Sequence, residues 1–441
     1  MNQLQRMLSI QSNEARLVVI LGAMLFANAF SLEMGDVVAT SGFLSHVSAS
    51  GLPIVWSLSM VCIVIGSTAQ SLLIDRIERV KLIRLLALFF SILYVGLRLL
   101  FVFGWVDAVN YGLLTILNDQ QWFFFPLAFW LLANDIFEMA QAKRLFPLLI
   151  AIGFIGQIGG SAAAAITASA GIVGRDLLLV NAAIFFGVYL LIRLGLRGVQ
   201  RKPVQKSDIN FKEAISEARE FLANVPAFRY MCLAYLGLSV GLTVTRYAFL
   251  STARSTLITP QEIQTFYGIY RFILMSAILF TSTMLTSRLM RALELKNSFL
   301  VYPLILSATL IIMIIAPYLL VVTAGMILTW LSYYTINQTA RKAFQSLVPS
   351  DRRGRVSLVL DNYLTAIGVI LGSIIVVMIV ALTGNLSAKN ATLVGLLFGL
   401  IGAGIGVWAI TQVIKVYDQS LLNWRVKKRQ KRLSVLDKLD L

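Results

Sequence analysis

Glu33 and Asp36 stand three residues apart in SLEMGD (Ser31 to Asp36), inside a long apolar run. That spacing puts both carboxylates on one face of a helix. Arg98, Arg246 and Arg271 interrupt three further apolar runs. Carboxylates in such surroundings carry protons or form ion pairs, and guanidinium groups grip carboxylates or phosphates with two parallel hydrogen bonds. The chemistry on offer is therefore ion recognition and coupling. No catalytic constellation accompanies it. The single histidine, His46, falls in a loop between runs, and no metal-spaced Cys/His set, phosphate-binding glycine loop or nucleophile elbow is present. The sequence asks for no cofactor or metal and points away from an enzyme.

The elements that must position these charges are membrane helices. Of 441 residues, 58% are hydrophobic and only 13% charged, against about a quarter in soluble proteins. A helix needs about 20 apolar residues to cross the bilayer core, and the alternating short segments of a barrel are missing. The pattern predicts twelve spans, at about 17–44, 51–74, 82–106, 110–134, 145–170, 177–196, 227–252, 263–287, 297–316, 318–340, 356–383 and 390–416. The N-terminal stretch MNQLQRMLSIQSNEAR is polar, and the apolar run after it is too long for a cleavable signal. Cys62 and Cys232 both sit in apolar runs and read as small packed side chains.

The longest polar break, 197–226, divides the chain into an N-terminal six-helix half (1–196) and a C-terminal six-helix half (227–416). Its second part reads as an amphipathic helix carrying Phe211, Ile215, Phe221 and Leu222. A basic tail follows at 417–441. With the N-terminus inside, all but six of the 38 Lys and Arg lie on the cytoplasmic side. Outside are Arg175, Arg254 and Lys389; within spans are Arg98, Arg246 and Arg271. Both termini are thus expected in the cytoplasm. The net charge of +17 gathers at helix ends and in the tail, which suits anionic lipid heads and not nucleic acid.

Two six-helix halves predict a major facilitator-type architecture, in which the halves rock about a shared site. The loop DRIERVK (Asp75 to Lys81) is similar to the acidic-Arg-x-Gly-Arg-basic loop of that superfamily, with Glu78 in the glycine's place. SRLMRALELK (Ser287 to Lys296) repeats its spaced basic residues in the second half. At 1.5 Å per residue, Glu33 lies about 24 Å from the inner end of span one, with Arg98 and Arg246 at comparable heights. Arg271 falls about 12 Å below the outer end of span eight. The charges are expected to share one layer, which marks Arg98, Arg246 and Arg271 as anion ligands and Glu33 and Asp36 as coupling or gating groups. Pairing of Arg98 with Glu33 or Asp36 is the purely structural alternative. Asp119, Asn337, Gln338, Asp361 and Asn362 are candidate cavity-lining residues, with Asp119 expected at the outer surface.

The stretch FWLLANDIFEMAQAKRLFPLL (Phe129 to Leu149) sets a charged knot between spans four and five. Its pattern F-W-x-x-A-N, then A-K-R-x-F-P-L, resembles the signature after the fourth helix of the nucleotide exchange transporters. These are the ATP/ADP carriers of plastids and obligate intracellular bacteria. ARSTLITPQEIQTFYG (Ala253 to Gly268) and NQTARKAFQSLVPSDRRGRVSLVLDNY (Asn337 to Tyr363) resemble two further loops of that family, in register. The resemblance implies a bacterial inner-membrane antiporter for nucleotides. The chain departs from it at the phosphate contacts. Where the family carries R-x-x-K-D in the first helix, this chain has Leu32 to Asp36, which keeps the aspartate and loses both cations. Its span-seven glutamate and lysine align with Arg246 and Leu250, and its span-four glutamate falls near Asn118 or Asp119. Three readings stay open: a carrier of a nucleotide or other anionic metabolite, a proton-coupled carrier of a neutral or cationic solute, and a non-transporting sensor or scaffold on the same fold.

Overall fold

The structure is a computed structural model and describes residues 11, 14–74, 77–172, 174–196, 226–345, 359–382 and 388–436. The chain is an all-α polytopic membrane protein. Its helices are α1 (Ala15–His46), α2 (Leu52–Ile74), α3 (Arg79–Val102), α4 (Asp107–Ile136), α5 (Met139–Ser169), α6 (Leu177–Gly195) and α7 (Pro226–Thr256). They continue as α8 (Pro260–Met284), α9 (Thr286–Ser298), α10 (Val301–Ile315), α11 (Leu319–Ser332), α12 (Gln338–Gln345), α13 (Leu364–Leu382) and α14 (Ala388–Leu436). A π-helical turn, Tyr333–Asn337, joins α11 to α12, and another, Val359–Tyr363, opens α13.

Among the described residues ten helical segments are long and apolar enough to cross a membrane, and α9 with α10, bent by 84°, makes eleven if taken as one span. The 30-residue α4 has the length as well. Its aspartates (Asp107, Asp119, Asp135) and its Asn and Gln residues dilute the apolar signal, and with it the expected twelve are accounted for. The amphipathic linker helix and the start of DRIERVK lie outside the described residues, while the helix of span twelve runs on into the basic tail as far as Leu436.

Local chemistry sets the helix ends. The expected linker between spans four and five is absent. α4 ends at Ile136 and α5 begins at Met139, because Glu138 caps α5 through a reciprocal box with Gln141. The charged knot thereby becomes the first turns of a helix. Arg144 reaches back to Glu14 at 2.8 Å, and Arg79 meets Asp135 at 3.6 Å. The T-P-Q-E step before α8 works in the same way. Glu262 accepts from the backbone N–H groups of Ile258 and Thr259, Thr259 Oγ1 accepts from Glu262 N, and Pro260 takes the first helical position.

The contacts divide the chain into two compact units, Met1–Ser207 with Leu250–Leu279, and Asp208–Phe249 with Phe280–Leu441. In the first unit α1 is the buried axis. α5 lies flat on it because Gly153, Gly156, Gly159 and Gly160 give the backbone room. A Cβ at Gly156 would sit 2.5 Å from the Phe26 carbonyl oxygen, and one at Gly160 would overlap that of Phe30. In the second unit α7 and α14 meet in the same way. A Cβ at Gly237 would stand 2.5 Å from Gly402 O, and Gly368 and Gly372 of α13 pack on Ser239 and Thr243.

Candidate solute site

Three of the sequence-flagged charges come together in the first unit. Glu33 is 1% exposed on α1, and Arg271 of α8 grips it with two parallel bonds, Nε to Oε2 at 2.8 Å and Nη2 to Oε1 at 2.6 Å. This is the bidentate fork that fixes both position and plane. Asp36, one helical turn on, lies 3.4 Å from Arg271 Nε. Tyr267 donates its hydroxyl to Asp36 at 3.2 Å. Tyr267 and Arg271 are four residues apart on α8, and Glu33 and Asp36 are three apart on α1, so each helix presents one polar face. The triad sums to one negative charge.

Further along the same two helices lies a cavity of about 170 Å³, lined by Ser41 and His46 of α1, Gln261 and Gln264 of α8, Tyr111 and Arg175. His46 stacks on Tyr111 at 5.3 Å. The opposite face of α1 is polar but uncharged. Gln121 donates to the Asn28 carbonyl at 3.1 Å and accepts from Tyr94 at 2.6 Å. Asn118 points its amide oxygen at Gly35, and that oxygen has no hydrogen-bond partner among the described residues.

The other flagged residues are placed elsewhere. Arg98 bonds Asp176 at 2.7 Å and not Glu33 or Asp36. It sits one turn before the end of α3, where its side chain meets the residue preceding α6. Asp119 is not at the start of its span. It lies about 18 Å into α4 at 1.5 Å per residue and accepts from Ser59 at 2.6 Å. Arg246 is half-buried on α7 in the second unit.

In that second unit, Asp361 accepts from three side chains, Arg341 Nη2 at 2.7 Å, Lys342 Nζ at 2.9 Å and Gln345 Nε2 at 2.9 Å. Arg341 lies with its guanidinium 4.0 Å above the Tyr235 ring. Asn337 is buried in the π turn, and Gln338 and Asn362 are half-buried. Sequence reasoning missed Arg341, Tyr235 and Tyr267. Arg341 stood past the expected end of span ten and was counted with the cytoplasmic cations. Its spacing of four from Asn337 was the available signal. Tyr267 had the same signal, four residues before Arg271.

No family model and no curated protein sequence matches the chain. Its fold is similar to solved transporter structures. A mutant form of the nucleoside transporter NupG aligns with a TM-score of 0.69 at 13% identity, over 91% of this chain and 100% of that one. An auto-inhibited POT family peptide transporter aligns at 0.65 and 12%, over 92% and 97%. A bacterial homologue of the human lysosomal transporter Spinster aligns at 0.64 and 16%, over 94% and 99%. The fold is of major facilitator type.

Proposed function

We propose that the chain is a secondary transporter working by alternating access, and that it carries an anionic solute. A nucleotide or another phosphorylated metabolite is the first class to test. The observation that carries this reading is the Glu33–Arg271–Asp36 triad. Buried charges must be paired or hydrated, because an isolated one costs several kcal/mol. The triad is stable when closed; when it opens, water serves the two carboxylates and a solute oxyanion can serve only Arg271. Opening it turns Arg271 from a partner of carboxylates into a ligand for phosphate or carboxylate. Arg246, in the second unit, is a separate candidate anion ligand, and Arg98 is already held by Asp176. Glu33 and Asp36 gate the change. The transporter titles of the structural neighbours support transport on this fold. The loop motifs support nucleotide exchange.

One observation favours a second reading. Two carboxylates share one guanidinium, so one of them is in excess and suits a transported proton. In that case the solute is neutral or cationic and moves with a proton. The N-in, C-in orientation in a bacterial inner membrane, with the basic tail on anionic lipid, belongs to both readings.

Counterflow in proteoliposomes tests the proposal, with labelled ATP outside and ADP, ATP or no nucleotide inside. Uptake that requires internal nucleotide and is lost in Arg271→Ala and Arg246→Ala is the expected result. No uptake by correctly inserted protein sinks the nucleotide assignment. Solute-induced quenching of a pH dye, lost in Glu33→Gln/Asp36→Asn, would establish the proton-coupled reading. A change in stability with no flux of any solute would leave a sensor or scaffold.

A further inference from the structure

The second unit holds a cavity of about 50 Å³ whose walls are mostly apolar but carry the donors Arg341, Tyr235, Tyr302, Tyr333 and Asn337. A space of this size holds several waters or one small polyatomic group. Arg341 is 8% exposed, with Asp361 and Tyr333 taking two of its five N–H groups, the latter at 3.4 Å. Asp361 answers two cations, the buried Arg341 and the exposed Lys342, so the buried pair is neutral and the second positive charge is a solvated lysine beside it.

The backbone around the cavity is irregular at the residues that build it. Tyr333 and Asn337 bound one π-helical turn, and Asp361 sits in the other. A π turn adds a residue to the helical repeat and re-aims the side chains that follow, a device frequent at functional sites. Here it brings Tyr333, Asn337 and Arg341 onto one cavity, beside Tyr235 of α7 and Tyr302 of α10. The Tyr302 and Tyr333 rings meet edge to face at 5.3 Å and fix the walls. A buried guanidinium, tyrosine hydroxyls and an amide around a small space match an oxyanion.

We propose that this cavity is an oxyanion subsite of the transported solute, taking a phosphate or carboxylate group on Arg341 with help from Tyr333 and Asn337. The inference rests on the transporter reading and adds, within the second unit by itself, a further oxyanion contact distinct from Arg271. It places that recognition near the end of span ten that charge asymmetry assigns to the cytoplasm, as expected for an entry or release point.

Equilibrium binding to the purified full chain tests this apart from transport. The probes are AMP, ribose 5-phosphate, inorganic phosphate, acetate and uncharged adenosine, read by tyrosine and tryptophan fluorescence and by shift of the unfolding temperature. Oxyanions are expected to bind and adenosine to bind at least tenfold more weakly. Arg341→Lys and Asn337→Leu should each weaken oxyanion binding about tenfold or more. Thr365→Phe, which fills the cavity and leaves the Arg341–Asp361 pair intact, should abolish it without lowering the unfolding temperature. Equal binding to wild type and Thr365→Phe overturns the subsite. Binding that instead tracks the phosphatidylglycerol content of nanodiscs overturns the solute assignment in favour of a lipid headgroup. Counterflow by the wild type without loss in Thr365→Phe keeps the transporter and removes the subsite.

Discussion

Arg271 shows why charge type and spacing are informative in an apolar chain. Glu33 is 1% exposed, and a guanidinium grips both its oxygens. The partners are unequal in consequence. Arg271→Gln leaves two carboxylates without a cation and is expected to cost about 3–5 kcal/mol, seen as a lower unfolding temperature in detergent. Glu33→Gln leaves Arg271 with Asp36 at 3.4 Å and is expected to cost clearly less. Equal losses would show that Asp36 takes no part in the pair. The spacing 33/36 was readable as a shared face, and so was the burial of the charges. That Arg271, not Arg98, is the partner was not readable. Arg98 and Arg271 were put at similar estimated depths, and only the packing of α3 beside Asp176 separates them.

At the scale of elements, the helices were legible and their termini were legible in part. The apolar runs matched the observed helices to within a few residues for most spans. The exceptions have physical causes. The expected loop after span four vanished into α5 through the Glu138–Gln141 box. Span nine is α10, and the expected loop before it is instead the amphipathic helix α9, bent by 84° from α10. The T-P-x-E motif that supported a family resemblance is also a helix start. Part of its information is capping, which any helix in that place would want. Close helix contact rests on glycine. Gly160→Leu is expected to force α5 off α1, with a loss of about 1–3 kcal/mol or more. Gly187→Leu, where nothing stands within 4 Å of the Cβ position, serves as the control and should be near neutral. Unfolding temperatures of the two variants decide the point; similar losses would mean that tight α1–α5 packing is unimportant.

At the scale of the whole molecule, the proposal requires that α8 leave its neighbours during each cycle. A Cβ at Gly268 would meet the Cβ of Ala165 at 2.9 Å, somewhat closer than the ~3.8 Å of a disulfide, so a small shift lets one form. In a background of Cys62→Ser and Cys232→Ser, Ala165→Cys with Gly268→Cys should abolish counterflow when oxidised and regain it on reduction. Full flux by the oxidised, verifiably cross-linked protein would rule out movement of α8 from α5 as part of transport. The same variant with either cysteine alone should transport normally.

The sequence by itself determined that the chain is a helical membrane protein, roughly where its helices run, and which charges would be too costly to leave idle in lipid. These are properties of composition and local periodicity, and they do not depend on which helix meets which. Only the tertiary structure decided the partners. Glu33 and Asp36 went to Arg271, Arg98 went to Asp176, and Arg341 turned from a presumed surface cation into a buried one beside Tyr235. The physical reason is that an ion pair depends on a few ångströms between helices distant in sequence. Residue depth along one helix fixes height, but not which neighbour faces it. The π turns that re-aim Tyr333 and Asn337 are likewise products of packing, and nothing in helical periodicity foretold them.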